Sequence, residues 1–444
     1  MTLDALKARL GEIYNAGAEN ILPVRGALHA KELAMRLVAR EGGREIAGEA
    51  GAEFEKLASI YGLTRTSSAR IAVRRFDEAG VGAGLTIVDE SEIEYSDRTS
   101  LAGTADDIAV IRSLEGVYGG DDEPCAAIIA SPDLIARFSS VLEPNAVPAI
   151  IVRAALSSLA PHRFAVVRSK IESVRLERRR LAGLLAASPE IAAARECERA
   201  FVRVIPRDVR KFLADVRALK IEAARDQDDG FLIRVGDPVE SALLLSAFGV
   251  NGPSRRIGET RRETLETKIS AWVDLDQEGV IEISTGVGFF DHMLTQVACH
   301  AGVSATVACD GDLEVDAHHT IEDCAIAFGQ ALAKALGGRR GLARFGFVLP
   351  MDEAEAKVSI DLGGRPFLVF NGDFKAPLLG EYPTEMTEHV FRSLSQALGA
   401  SIHVSVTGDN DHHKTEACFK AFGRALRQAI QIEGTTIPST KGIL

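Results

Sequence analysis

The sequence predicts a two-domain chain whose second part is an α+β domain made of two similar halves. Three observations carry this prediction: the length, a change in composition near residue 250, and an internal repeat. At 444 residues the chain is long for one domain and comfortable for two, each able to bury its own core. Before residue 250 the sequence has helical segments rich in Ala, Leu and Arg, starting with an amphipathic helix in "MTLDALKARLGEIYNAG" and including a long basic-acidic helix at "SKIESVRLERRRLAGLLAA". Beyond "AFGVNGPSRR" the pattern alternates: "TLETKISAWVDLD" and "GVIEIST" read as two strands, and their Gln277-Glu278-Gly279 connection suits a hairpin. The boundary is expected at about residue 253, giving domains 1–250 and 253–444.

The repeat organises the second domain. Setting His318–Leu336 against His412–Ile430, an offset of 94, gives identity at ten of nineteen positions: both histidines, the glutamate, a cysteine, Ala-Phe-Gly, Ala-Leu and a later alanine. A second correspondence lies upstream, where "FFDHML" carries His292 and "MTEHVF" carries His389, each after an acidic residue. These imply a duplicated domain with halves of about 255–347 and 348–435, each a few strands followed by helices, packed in layers.

Composition narrows the function classes. A net charge of −12 argues against a nucleic-acid surface, which needs clustered Lys and Arg. No apolar run is long enough to span a membrane and the first residues lack the pattern of a signal peptide, so a cytoplasmic protein is expected. The six cysteines are scattered without a CxxC pair, which fits reduced thiols better than a disulfide or zinc framework.

The repeated HHxxE pattern is where chemistry concentrates. On a helix His318 and Glu322 are four residues apart and share a face, and His319 adjoins it. Two imidazoles and a carboxylate can converge on a first-row divalent ion, and the lack of thiolates disfavours a purely structural zinc site. The same residues could instead cap or line a helix without metal. Duplication favours metal: each half offers one histidine, a histidine pair and a glutamate, eight ligands in all, enough for two centres with open positions.

The segments "GVGFFDHMLTQVACHAG", "GDLEVDAHHTIEDCAIAFGQAL", "RFGFVLPMDEA", "DLGGRPFLVF", "GDNDHHKTEACFKAFGRAL" and "PSTKGIL" resemble imidazoleglycerol-phosphate dehydratase, a manganese enzyme of histidine biosynthesis, from about Arg255 to Leu444. The resemblance implies a hydro-lyase that dehydrates imidazole-glycerol phosphate to imidazole-acetol phosphate. It also implies two Mn(II) ions per site and a homo-oligomer of 24 subunits with sites formed between subunits. Carried over residue by residue, it implies metal ligands His292, His318, His319, Glu322, His389, His412, His413 and Glu416. Glu266 matches the acid/base glutamate, and Gln296, Arg344, Arg365, Lys420, Ser439 and Lys441 match the positions that bind the substrate phosphate.

The first 250 residues resemble, less closely, a histidinol-phosphate aminotransferase, a pyridoxal-phosphate enzyme with an α/β fold. The matching segments are "ENILPVRGALHAKELAMRLVAREGG", "LTIVDESEIEYSDRTSL", "IAVIRSLEGVYGG", "AAIIASPDLIARFSSVLEPNAVPA" and "DGFLIRVGDPVESALLL". This sequence departs from the pattern at the sites that matter. Gly116 stands where the Schiff-base lysine is expected, Glu92 where a tyrosine is expected, and the segment around Arg234 is one residue short; Asp89 remains at the pyridinium partner's position. A truncated, non-catalytic α/β remnant that does not use pyridoxal phosphate is expected, since transamination needs the amine nucleophile. Two other readings stand beside this one: a bifunctional protein that also transaminates histidinol phosphate, and a metal-binding scaffold without turnover.

Overall fold

Continuous apolar runs in the first 130 residues form mainly parallel strands, the pattern of a sheet covered on both faces. The computed structural model describes residues 2–41, 43–48, 52–66, 69, 71–77, 84–119, 123–226, 230–250, 252, 255–346 and 349–439. Residue 253 and the junction of the two expected halves at 347 and 348 therefore lie outside the described residues. Contacts group the chain into two units. Unit 1 comprises Met1–Ala160, Lys170–Val235 and Ala247–Val250; unit 2 comprises Pro161–Ser169, Gly236–Ser246 and Asn251–Leu444.

Unit 1 is α/β, as expected. Helix α1 (Leu3–Tyr14) is capped by the Thr2 hydroxyl, which accepts from the Ala5 amide. Strands β1 (Ile21–Val24), β2 (Glu45–Gly48), β3 (Thr64–Arg65), β4 (Ala72–Arg75), β5 (Thr86–Asp89), β6 (Ile108–Ser113) and β7 (Ala126–Ile129) form one sheet in the order β1-β7-β6-β5-β4-β2-β3. The pairings from β3 through β2, β4 and β5 to β6 are parallel, and β7 runs antiparallel to both β6 and β1. Helices α2 (Gly26–Arg40), α3 (Ala52–Ile60), α4 (Pro132–Ser139) and α5 (Ala149–Ser158) belong to this part, followed by the long helix α6 (Phe164–Ala186). A second, antiparallel sheet contains β8 (Ile191–Glu196), β9 (Phe201–Pro206), β10 (Ala223–Arg225) and β11 (Phe231–Arg234), with α7 (Val209–Ala218). There Phe212 packs on Phe231 and Phe248, with ring centroids 4.8 and 5.5 Å away. Helix α8 (Pro238–Ala247) follows in the chain and, but for Ala247, falls in unit 2. Among the described residues no single helix is long and apolar enough to cross a membrane.

Unit 2 holds two sheets. The first contains β12 (Ile257–Glu263), β13 (Thr267–Asp274), β14 (Ile281–Ser284) and β15 (Ser304–Gly311), in the order β12-β13-β15-β14. The second contains β16 (Phe345–Gly346), β17 (Leu349–Met351), β18 (Ala354–Asp361), β19 (Phe367–Asn371) and β22 (Ser401–Thr407), and a short hairpin joins β20 (Leu378–Leu379) to β21 (Tyr382–Pro383). The pairing sense is the same in both large sheets: β13–β15 and β18–β22 are antiparallel, and β14–β15 and β19–β22 are parallel. The expected hairpin between β13 and β14 is not formed. Both edges of β13 are taken, by β12 and β15, so the chain leaves Gln277-Glu278-Gly279 for the far edge of β15. That parallel pairing requires a crossover, which helix α9 (Gly288–Ala301) provides. Each sheet is thus completed by a strand lying between two helices: α9 and α10 (Ala317–Leu336) flank β15, while α11 (Met386–Leu398) and α12 (Asp411–Ala429) flank β22.

The four helices pack crosswise, α10 against α11 and α9 against α12, inside one continuous core that includes Phe290, Phe328, Phe391 and Phe422. Repeat glycines set the spacing. A Cβ added at Gly329 would come within 2.7 Å of the Ala397 Cβ, and one at Gly423 within 2.7 Å of the Val297 carbonyl oxygen. These positions are 94 residues apart, so the Ala-Phe-Gly shared by the repeats permits close helix contact. Gly423→Leu and Gly329→Leu are each expected to destabilise unit 2 by roughly 1–3 kcal/mol through overpacking. Gly338→Leu, whose Cβ would have no neighbour within 4 Å, should stay within about 0.5 kcal/mol of the parent. Urea unfolding followed through Trp272, the one tryptophan and a buried residue of β13, distinguishes these outcomes.

Candidate metal centre

Both histidine pairs are held at a helix start by a side-chain cap. Asp316 Oδ1 accepts from the His318 amide at 3.0 Å at the head of α10. Asn410, 94 residues later, accepts from the His412 and His413 amides at 2.9 and 3.4 Å at the head of α12. The caps confine both HHxxE patterns to the first turns of their helices, with the first histidine and the glutamate on one face.

Two clusters result, one on each helix seam. On the α10–α11 seam the ligand atoms of His318, Glu322 and His389 all lie within 4.8 Å of one another. His318 Nε2 is 3.7 Å from Glu322 Oε2, the His318 and His389 rings are 5.0 Å apart, and His389 Nδ1 is buried without a hydrogen-bond partner. On the α9–α12 seam His292 Nε2 stands 3.6 Å from Glu416 Oε1, and His412 Nε2 stands 3.4 Å from Glu416 Oε2. Two donors about 2 Å from a common ion are themselves about 3–3.4 Å apart; the α10–α11 cluster is close to a spacing that one cation could share, while on the α9–α12 seam Glu416 meets the two imidazoles through different oxygens. Imidazole with carboxylate, a partnerless ring nitrogen and no thiolate suit a first-row divalent ion.

The second histidine of each pair points elsewhere. His319 Nδ1 lies 3.2 Å from Asp312 Oδ2 and its Nε2 lies 3.8 Å from Glu266 Oε1. His413 Nδ1 lies 2.8 Å from Glu353 Oε2. The Asp312 and Glu353 contacts raise the pKa of these two imidazoles above the ordinary histidine value. Glu416 is shifted downward: burial alone would raise it, but the hydrogen bond and charge of Lys420 and the charges of His292 and His412 outweigh burial. The sequence reading grouped all eight ligands; one chain brings together six of them in two groups of three and leaves His319 and His413 outside. It also missed Asp312 and Glu353. Their signal was the acidic residue a few positions before "AHH" and the one in "PMDEA".

The expected phosphate-binding residues are less gathered. Gln296 lies by His292, at 3.3 Å between Nε2 atoms, and Lys420 lies on Glu416 at 2.7 Å. Arg344 forks onto Asp361 at 2.5 and 2.9 Å and donates to the Pro438 carbonyl at 2.8 Å, next to Ser439. Arg365 is exposed, without an ion pair among the described residues, and Lys441 lies outside them. Glu266 sits in the turn between β12 and β13, its side chain half-exposed.

Comparison with known proteins relates both parts of the chain to described families. A family model for Imidazoleglycerol-phosphate dehydratase matches residues 285–426. The Histidine biosynthesis bifunctional protein HisB of Actinobacillus pleuropneumoniae serotype 3 (strain JL03) is 55% identical over 208 residues, which are 47% of this chain and 57% of that protein. The chain thus spans little more than half the length of that curated relative. The crystal structure of imidazoleglycerol-phosphate dehydratase from Staphylococcus aureus is 35% identical over 40% of this chain and 99% of that one, with a TM-score of 0.37. A histidinol-phosphate aminotransferase structure from Sinorhizobium meliloti, in complex with pyridoxal-5'-phosphate, aligns over 55% of this chain and 79% of that one at 16% identity and a TM-score of 0.48. With sequence identity at this level across essentially all of a family member, the chain, through its C-terminal unit, belongs to the imidazoleglycerol-phosphate dehydratase family.

Proposed function

We propose that unit 2 dehydrates D-erythro-imidazole-glycerol phosphate to imidazole-acetol phosphate, a step of histidine biosynthesis carried out in the cytoplasm. The observation that carries this reading is the pair of His-His-Glu clusters on the two helix seams. His318, Glu322 and His389 would hold one Mn(II), and His292, His412 and Glu416 the other. A bound divalent ion supplies Lewis acidity that stabilises the anionic form of the substrate ring. Glu266 moves the proton, standing half-exposed near His319 Nε2, while Asp312 and Glu353 fix the ring orientation of His319 and His413. Those two histidines are the ligands left outside the single-chain clusters, which supports sites completed by a neighbouring copy; the assembly we propose is a homo-oligomer of 24 subunits. Gln296, Arg344, Arg365, Lys420, Ser439 and Lys441 bind the phosphate.

The matched pairing sense of the two sheets, the caps at 316 and 410 and the glycines at 329 and 423 support a domain of two duplicated halves, spanning about 255–347 and 348–435 within a domain of 253–444. Residues 1–250 read as an aminotransferase-like domain that has lost catalysis.

Two outcomes test the site. In full-length protein, chelation is expected to abolish turnover and Mn(II) to restore it; His318→Ala and His412→Ala should each lower bound metal and turnover together. Metal analysis at full occupancy in both variants rejects the ligand assignment. For the phosphate set, Arg365→Ala should raise KM strongly with an unchanged unfolding temperature, because its side chain is exposed and makes no ion pair among the described residues. Arg344→Ala should raise KM and also lower the unfolding temperature, because it strips Asp361 of its fork. Steady-state kinetics beside thermal unfolding separates the two.

A further inference from the structure

The first unit contains a charge arrangement that the proposed dehydration does not use. Asp89, at the end of β5, has both carboxylate oxygens engaged. Oδ1 accepts from the Ser91 amide at 3.0 Å and from the Ser91 hydroxyl at 2.6 Å. Oδ2 lies 2.8 Å from Lys31 Nζ, which reaches across from α2. The pair is largely enclosed, with side-chain exposures of 13% for Asp89 and 23% for Lys31. A short way along the chain Glu92 is set between two guanidiniums, with Arg234 Nη1 at 3.3 Å and Arg199 Nη1 at 3.9 Å. Gly116 has φ +72, left-handed backbone that a side chain would strain, and a Cβ there would come within 3.0 Å of Arg234 Nη2.

These positions test whether a pyridoxal phosphate fits. The cofactor would need its ring nitrogen within about 2.7–2.9 Å of the Asp89 carboxylate, as a charge-assisted pair. Lys31 already stands at that distance, and ammonium and ring nitrogen cannot both have it. At the other end the cofactor would need an amine on residue 116, where there is no side chain and where a guanidinium occupies the approach. The residues do not fit the group.

We infer that unit 1 has replaced a cofactor with its own cations: Lys31 stands in for the ring nitrogen on Asp89, and Arg234 fills the place of the missing amine beside Gly116. The inference rests on the aminotransferase-like reading of unit 1, and it assigns Lys31 a structural task, tying α2 to β5 over a largely enclosed carboxylate. Removing one partner of such a pair strands the other charge, whereas neutralising both largely does not.

The test uses the full-length chain with pyridoxal 5′-phosphate as the probe, borohydride reduction and intact mass, beside thermal unfolding of Lys31→Met, Asp89→Asn and the double variant. The wild type is expected to show no visible cofactor band and no reducible adduct. Lys31→Met should lower the unit 1 transition by roughly 10 °C. The double variant should recover much of that loss; it also keeps the test decisive if Lys31→Met alone does not fold. An unchanged transition in Lys31→Met, or a double variant no better than Lys31→Met, overturns the inference. A stoichiometric adduct without turnover also overturns it while leaving the non-catalytic reading of unit 1 standing. Transamination of histidinol phosphate with a 2-oxo acid would sink that reading itself.

Discussion

The close approach of α10 to α11 and of α9 to α12 is the constraint on which the rest of unit 2 depends. The side chains of each cluster come from two helices, so their spacing is set by how near those helices can come. Gly329 against Ala397 and Gly423 against Val297 remove the side-chain layer that would otherwise separate them. With that layer gone, His389 of α11 reaches the His318–Glu322 face, and His292 of α9 reaches Glu416. A core fault far from the histidines would therefore be felt as misplaced donors. Gly258 and Gly346 extend the same logic to the sheets, since a Cβ at either would lie 2.0 Å from the Ala331 or Ala425 carbonyl of the facing helix.

Direction comes from the caps. An imidazole at the second helical position shares a face with a glutamate four residues on, and its immediate neighbour is turned by about 100°. That rotation sends His319 to Asp312 and His413 to Glu353, away from the seams. A pair of adjacent histidines on a helix is thus a device for serving two places at once. Asp316 and Asn410 hold the register on which this division rests.

Much of this was legible because the repeat is local in sequence. The offset that aligns the histidines also aligns Asp316 with Asn410 and Gly329 with Gly423, although from the sequence it pointed only to the candidate ligands and to the duplication. Pairing was less legible. Alternation marks β13 and β14 as strands without saying who their neighbours are, and the short connection at Gln277 to Gly279 suggested a hairpin that β12 and β15 exclude by taking both edges of β13. The division of the ligands was hidden for a related reason: HHxxE names donors, but only the helix seams decide which donors meet. Asp312 and Glu353 escaped notice because acidic residues are common, and nothing in their spacing distinguishes an imidazole partner from a solvated charge.

The two units treat their carboxylates in opposite ways. Glu322 in unit 2 is part-exposed and has only a 3.7 Å approach from His318, so its acceptor capacity remains open to a cation. Glu416 is occupied on one oxygen by Lys420, yet it still faces two imidazoles. Asp89 in unit 1 has neither freedom: serine saturates one oxygen and Lys31 the other, in an enclosed setting where uncovering the charge is costly. Open acceptor capacity beside imidazoles can recruit an ion, whereas a satisfied, enclosed pair can only hold helix to strand. The number of acceptor positions already filled therefore separates the carboxylates of unit 2, which can still take up a cation, from Asp89 of unit 1, which cannot.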